Sequence, residues 1–168
     1  MVFCSCSRDD GNEEPKCTES IGKLEAKVHK DATLQFYSTT FHDLDDNTID
    51  INADEITPYC IWIGRLSFTL EKRTGIHELK IQVAGGSGIY GETVYRELDD
   101  DVQLGRFDLY EAEPHTVEIT ALNDGKVNGV LSATYVYSGS NDFHILPDTL
   151  RFKNILFEAE FFDPAEGN

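Results

Sequence analysis

Thr116-Val-Glu-Ile-Thr-Ala-Leu-Asn-Asp-Gly-Lys-Val-Asn-Gly129 decides the fold class. Val117, Ile119 and Ala121 alternate with Thr116, Glu118 and Thr120, the period of a strand with one face on a core and the other in water. Asn123-Asp124-Gly125 then supplies residue types that accept the positive φ angles of a tight hairpin. Val127, Leu131, Ala133, Tyr135 and Tyr137 carry the alternation into the following strand.

The same period extends outward in both directions. Leu24, Ala26 and Val28 alternate with Lys23, Glu25, Lys27 and His29, and Ile49, Ile51 and Ala53 alternate with Asp50, Asn52 and Asp54. Trp62, Leu66, Phe68 and Leu70 share one parity with Gly64, while Leu79, Ile81 and Val83 form a further run. Toward the end, Leu150 and Phe152 give way to Ile155, Phe157, Ala159 and Phe161. This one-residue change of phase at Asn154 reads as a bulge or a bend, and Leu104 and Phe107 flank Gly105 and Arg106 in the same way. Glu71-Lys-Arg-Thr-Gly75 reads as a hairpin loop. Residues 92–98 are the one stretch with helical potential. The expectation is a single all-β domain, an antiparallel β-sandwich or a meander, lipocalin-like barrel, of about nine to ten strands.

Composition bounds the partners. Lys plus Arg number 14 against 31 Asp plus Glu, a net charge of −17. That field repels phosphate backbones, which argues against nucleic acid. No segment approaches the roughly 20 apolar residues of a spanning helix.

The N-terminus, Met1-Val-Phe-Cys-Ser-Cys6-Ser-Arg-Asp-Asp10, has a different character. An apolar remnant runs into Ser5 and Cys6, and a polar, acidic stretch follows, as at the end of a bacterial lipoprotein signal peptide. In this reading residues 1–5 are a signal-peptide remnant and Cys6 is lipidated. Residues 6–19 form an acidic tether, 20–163 the β-domain and 164–168 a tail. Only five residues precede Cys6, fewer than an apolar targeting region needs, so Met1 is expected to lie inside that region. Processing would remove Cys4 and leave Cys17 and Cys60. An exported compartment permits a disulfide between them; two free thiols are the alternative.

The chain resembles the small β-rich lipoproteins of uncharacterised function abundant in Bacteroidetes. The resemblance lies in Phe3-Cys-Ser-Cys6, in Ser7-Arg-Asp-Asp10, and in Thr116–Gly129 followed by Leu131-Ser-Ala-Thr-Tyr-Val-Tyr137 and Leu150-Arg-Phe-Lys-Asn-Ile-Leu-Phe157. It implies an outer-membrane lipoprotein, at the cell surface or on the periplasmic face, and no activity that could be carried over.

Candidate sites are few. In His42–Glu55, the residues Asp43, Asp45 and Asn47 match the first three ligand positions of a calcium loop and Asp54 the twelfth. Thr48 stands where the sharp turn needs Gly, and the strand pattern runs through the second half, so an acidic loop feeding a strand competes with a metal site. Glu97, Asp99, Asp100 and Asp101 read as a solvated turn. Gly86-Ser-Gly88-Ile-Tyr-Gly91, with Glu111 beyond it, has the dinucleotide spacing. It lacks a following helix to meet a pyrophosphate, and a Gly-rich loop is the plainer reading. The five histidines, His29, His42, His77, His115 and His144, show no metal-ligand spacing, and most are expected to be exposed. Tyr37, Phe41, Tyr59, Tyr90, Tyr95, Tyr110 and Phe143 fall near predicted strand ends, where aromatics can contact ligands. No nucleophile or cofactor motif appears. The expected role is a non-catalytic binding or structural module with no cofactor. It would hold the membrane through its lipid and meet an envelope protein, a glycan or a small ligand. A small-ligand carrier with an interior pocket and a glycan hydrolase using paired carboxylates are the alternatives.

Overall fold

The computed structural model describes residues 21–30, 32–57, 59–80, 93–123, 125–140 and 143–162. These form one sheet of eleven strands and no helix: β1 (Lys23–His29), β2 (Ala32–Phe36), β3 (Ser38–Asp45), β4 (Thr48–Ile56), β5 (Trp62–Glu71), β6 (Gly75–Glu78), β7 (Val94–Asp99), β8 (Val102–Leu109), β9 (Thr116–Asn123), β10 (Lys126–Tyr137) and β11 (Thr149–Phe161). The hairpin read from the sequence is present. Asn123 lies opposite Lys126 across a turn in which Gly125 has φ +85°.

The strand order is β2-β1-β11-β3-β4-β5-β7-β8-β10-β9-β6, with β10 and β11 also paired to each other. Hydrogen-bonded neighbours can therefore be followed from β11 through β3, β4, β5, β7 and β8 to β10 and back to β11. The long strands β10 and β11 make this possible because each changes partners along its length. The first half of β10 pairs with β9 and its last three residues with β8. The end of β11 meets β1 on its other flank and, at Glu160 and Phe161, β3.

Most of the alternation becomes burial as read; Phe161 is exposed, Ala121, Tyr137 and Ile155 are half-buried, and Ile81 and Val83 lie outside the described residues. Leu24, Ala26 and Val28, then Ile49, Ile51 and Ala53, then Leu66, Phe68 and Leu70 all point into one core with Val117, Ile119, Val127, Leu131, Tyr135, Leu150, Phe152, Phe157 and Ala159. Each large apolar side chain so buried contributes roughly 1.5–3 kcal/mol. The phase change in β11 is a bulge. Leu131 faces Ile155 while Ala133 faces Phe152, and Asn154 takes φ +52° between them. Leu104 is likewise the extra residue where β8 meets β7, since Glu97 faces Gly105 and Leu98 faces Gln103.

Several expectations are corrected. There are eleven strands among the described residues, rather than nine or ten, and β11 runs parallel to β3 within an otherwise antiparallel set of strand pairs. Residues 94–98 are not helical; they lie in β7, held between β5 and β8. Glu71–Gly75 does not close a hairpin, because β6 pairs with β9 while β5 pairs with β4 and β7. The Lys72 amide donates to Asn47 O at the β3–β4 turn (2.7 Å), and His77 Nε2 bonds Arg73 O (2.9 Å). These bonds fix the loop as a crossing from the middle of the sheet to its edge.

Trp62 leaves the core parity because the register shifts between Glu55 and Ile56. The polar face of β4 is not in water either: Asp50 and Asp54 are 1% and 6% exposed. They tolerate burial through hydrogen bonding. Thr69 Oγ1 donates to Asp50 Oδ1 (2.7 Å), Asn52 Nδ2 to Asp50 Oδ2 (2.9 Å), and Ser67 Oγ to Asn52 Oδ1 (2.8 Å).

Candidate functional site at one end of the sheet

At one end of the sheet, four residues stand opposite one another across four strands. Glu55 on β4 faces Gly64 on β5, Gly64 faces Glu97 on β7, and Glu97 faces Gly105 on β8. Directly opposed residues share a face of a sheet, and the next row inward is Ala53, Leu66, Tyr95 and Phe107, all in the core. Two carboxylates thus point to the interior side of an apolar sheet. Sequence reasoning placed Glu97 in a solvated turn, and that placement is corrected. Glu97 is 5% exposed.

The glycines make room for this row. A Cβ on Gly64 would collide with the Tyr95 hydroxyl and come within 3.1 Å of Glu55 Oε2. On Gly105 it would press on His144 Cβ, Glu97 Oε2 and the Phe107 ring, all within 3.2 Å. Tyr95 therefore lies across Gly64, and its hydroxyl donates to Glu55 Oε2 at 3.4 Å. The Gln35 amide of β2 donates to Glu55 Oε1 at 3.2 Å. Glu97 receives the Ile145 amide on Oε1 (2.9 Å) and the Leu146 amide on Oε2 (3.5 Å). Burial raises the Glu55 carboxyl above the ordinary carboxylate range, and the Glu97 charge adds to the rise. Burial also pushes the Tyr95 phenol well up, with the negative charges of Glu55 and Glu97 acting in the same direction. Chemically this is a pair of acceptors that fasten neighbouring segments. Glu55 holds β2, and Glu97 holds the segment after β10.

That segment is packed as well as bonded. The His144 ring stacks on Tyr137 at 3.8 Å and meets Phe107 edge-on at 6.1 Å, while its Nε2 bonds Asp148 Oδ1 at 2.9 Å. On the opposite face of the same strands runs a second row, Asp54, Arg65, Arg96 and Arg106. Arginines in direct register repel, and carboxylates flank them. Arg65 donates to Asp54 through Nε (2.5 Å) and Nη2 (3.2 Å), and Arg106 Nε donates to Asp108 (2.9 Å). The Arg65 guanidinium also lies 4.5 Å over the Trp62 ring, a cation–π contact.

The residues singled out from the sequence fall as follows. Asp43 and Asp45 end β3, Asn47 lies in the turn after them, and the hairpin is closed by Asp45 opposite Thr48. Asp45 Oδ1 accepts the Asn47 amide (2.8 Å), Asp43 accepts from Lys72 Nζ (2.7 Å), and Asp54 is held by Arg65 well along β4. A two-residue hairpin cannot wrap a cation as a calcium loop does. The structure does not bring the four together, and no cluster of metal-ligating side chains occurs among the described residues. Cys60 is disulfide-bonded; Cys6 and Cys17 lie outside the described residues, as do Tyr90 and Gly86–Gly91.

His77 and His115 are buried and the other three histidines half-buried, against the expectation of exposure. His115 Nδ1 accepts the Thr134 amide (3.2 Å), which leaves Nε2 to donate to Tyr110 O (2.7 Å), so the ring anchors the β8–β9 loop. Of the strand-end aromatics, Phe41 and Tyr95 are core residues, while Tyr37, Tyr59, Tyr110 and Phe143 are exposed. No family model matches the chain, and no curated protein or solved structure is significantly similar to it.

Proposed function

We propose that the chain is a bacterial envelope lipoprotein, lipidated at Cys6, whose β-domain is a non-catalytic binding or structural module at the outer membrane. The observation that carries the non-catalytic part is the use of the two interior carboxylates. All four oxygens of Glu55 and Glu97 accept bonds from neighbouring segments of the same chain. Carboxylates engaged in this way act as fasteners of the fold, which supports the non-catalytic reading. The packed interior, filled by side chains such as Tyr95, Tyr135, Phe68 and Phe107, favours a structural or surface-binding role over a carrier with an internal pocket. Ser5-Cys6 and the acidic residues after it support the anchor. Two or more acyl chains would make that anchor firm, at about 0.8 kcal/mol per buried methylene.

In this reading Cys17 is the partner of Cys60, since processing removes Cys4 and lipidates Cys6. In the same reading the β-domain is a flattened barrel, which the pairing of β10 and β11 with strands on either side supports. The test of the anchor is the intact mass of the mature protein, expressed behind a functional export signal and recovered from membranes. A chain beginning at Cys6 and carrying acyl mass supports the proposal. An unmodified chain in the soluble fraction, indistinguishable from its Cys6→Ser variant, refutes it.

A further inference from the structure

Eight of the thirteen exposed large apolar side chains among the described residues gather at the end of the sheet that holds the Glu55–Glu97 row. Tyr59, Ile61 and Ile63 come from the β4–β5 connection and the start of β5, and Val102 opens β8. Phe143 and Ile145 sit on the segment that Glu97 holds. Phe143 is 74% and Ile145 83% exposed, values unusual for residues so apolar. Ile21 and Tyr37 flank them. A concentration of this kind marks a surface that meets another phase or molecule.

Two features say what it meets. The described chain begins at this same end: the Ile21 amide donates to Tyr37 O (3.0 Å), and Tyr37 N to Asp54 O (3.0 Å) beside Glu55. The disulfide at Cys60 lies here too, and the three other cysteines, Cys4, Cys6 and Cys17, all precede residue 21. With Cys17 joined to Cys60, about ten residues separate the lipidated cysteine from this end, a reach of at most about 34 Å. We infer that the end bearing Tyr59, Ile61, Ile63, Val102, Phe143 and Ile145 rests on the lipid bilayer, its apolar tips seated among zwitterionic headgroups. The inference rests on the anchor at Cys6. Charge selects the lipid: Asp99, Asp100 and Asp101 form the tip of the β7–β8 hairpin at this end, and an anionic surface would repel them.

The chain carries its own probe, because Trp62 is its single tryptophan and belongs to this end. The mass-verified lipidated protein is reconstituted in phosphatidylcholine vesicles bearing a nitroxide on the headgroup, and Trp62 emission is compared with that in unlabelled vesicles. The expected result is at least a twofold loss of emission. Half or more of it should be recovered in the exposed-site variant Val102→Ser/Phe143→Ser/Ile145→Ser, whose fold is checked by circular dichroism. Anionic vesicles should give less quenching at low salt. Undiminished emission from protein that is demonstrably lipidated and vesicle-bound overturns the inference and leaves the anchor standing. If the mass shows no lipid, the anchor fails separately, and the Cys6→Ser chain added to the same vesicles decides the surface: quenching upholds it, none overturns it. Dimerisation in sedimentation, abolished by the same three substitutions, overturns it in favour of a second copy as the occupant.

Discussion

Tyr135 is fully buried, and its hydroxyl has no hydrogen-bond partner among the described residues. Burial alone pushes its pKa up, and an unsatisfied buried hydroxyl costs about 1–3 kcal/mol. Tyr135→Phe removes that penalty and keeps the edge-on contact with Phe152. Its urea midpoint should match or exceed that of the unaltered protein, by up to about 1 kcal/mol in stability; a clear loss would reveal a bond to the hydroxyl. Glu55 makes a different prediction. Its raised pKa means that the folded chain holds the proton more tightly than the unfolded chain. Its contribution is therefore fully present below the ordinary value of 4.5 and declines as pH rises above it toward the folded pKa. Glu55→Gln keeps an acceptor for the Gln35 amide and carries no charge. Relative to the unaltered protein the variant should gain stability between pH 4.5 and 7, measured by urea unfolding at both values. A gap that does not change with pH would deny the buried charge any role.

The strands show what alternation can and cannot tell. The bulge in β11 was legible because a side-chain period of 2 forces a change of parity wherever a residue is inserted. Asn154 fits it chemically: its φ of +52° suits Asn, its amide donates to Ser132 Oγ (3.2 Å), and Ser132 Oγ donates to its Oδ1 (3.1 Å). Asn154→Val should cost about 1–2 kcal/mol, since a β-branched residue resists the left-handed region, and Asn154→Gly should cost less. Equal losses in thermal unfolding would place the cost in the side-chain bonds instead. The loop at Glu71–Gly75 misled because turn residues report that a chain bends, not which strand it joins next. Residues 94–98 misled because a short apolar run fits either period, and only β5 and β8 on its flanks decide between them. The interior carboxylates were not legible at all. Glu55 continues the parity of Ile49, Ile51 and Ala53, yet a charged residue at the end of such a run reads as the strand leaving the core. Gly64 and Gly105 acquire meaning only once the register sets them beside Glu97.

For the molecule as a whole, charge opposes compactness. A net charge of −17 on one small domain is self-repulsive, and the described ion pairs relieve it locally; Lys126, for instance, bridges Glu158 and Glu160 at 3.0 and 3.2 Å. Raising salt from about 0.01 M to about 1 M shortens the screening length from about 30 Å to about 3 Å. The thermal midpoint at neutral pH should rise by about 2–4 °C, the shift that about 1 kcal/mol produces in a domain of this size. A fall would mean that attraction within ion pairs outweighs the repulsion. The seam formed by β11 has a consequence in time. This strand is bonded to β1, β3 and β10 at once, yet it follows all the other described strands in the chain, and chains emerge from the N-terminus. Strands β1, β3 and β10 each keep an open flank until residues 149–161 arrive. The circuit of strands therefore has no closed form until this single strand is in place, and its arrival sets the moment at which the two ends of the sheet can meet.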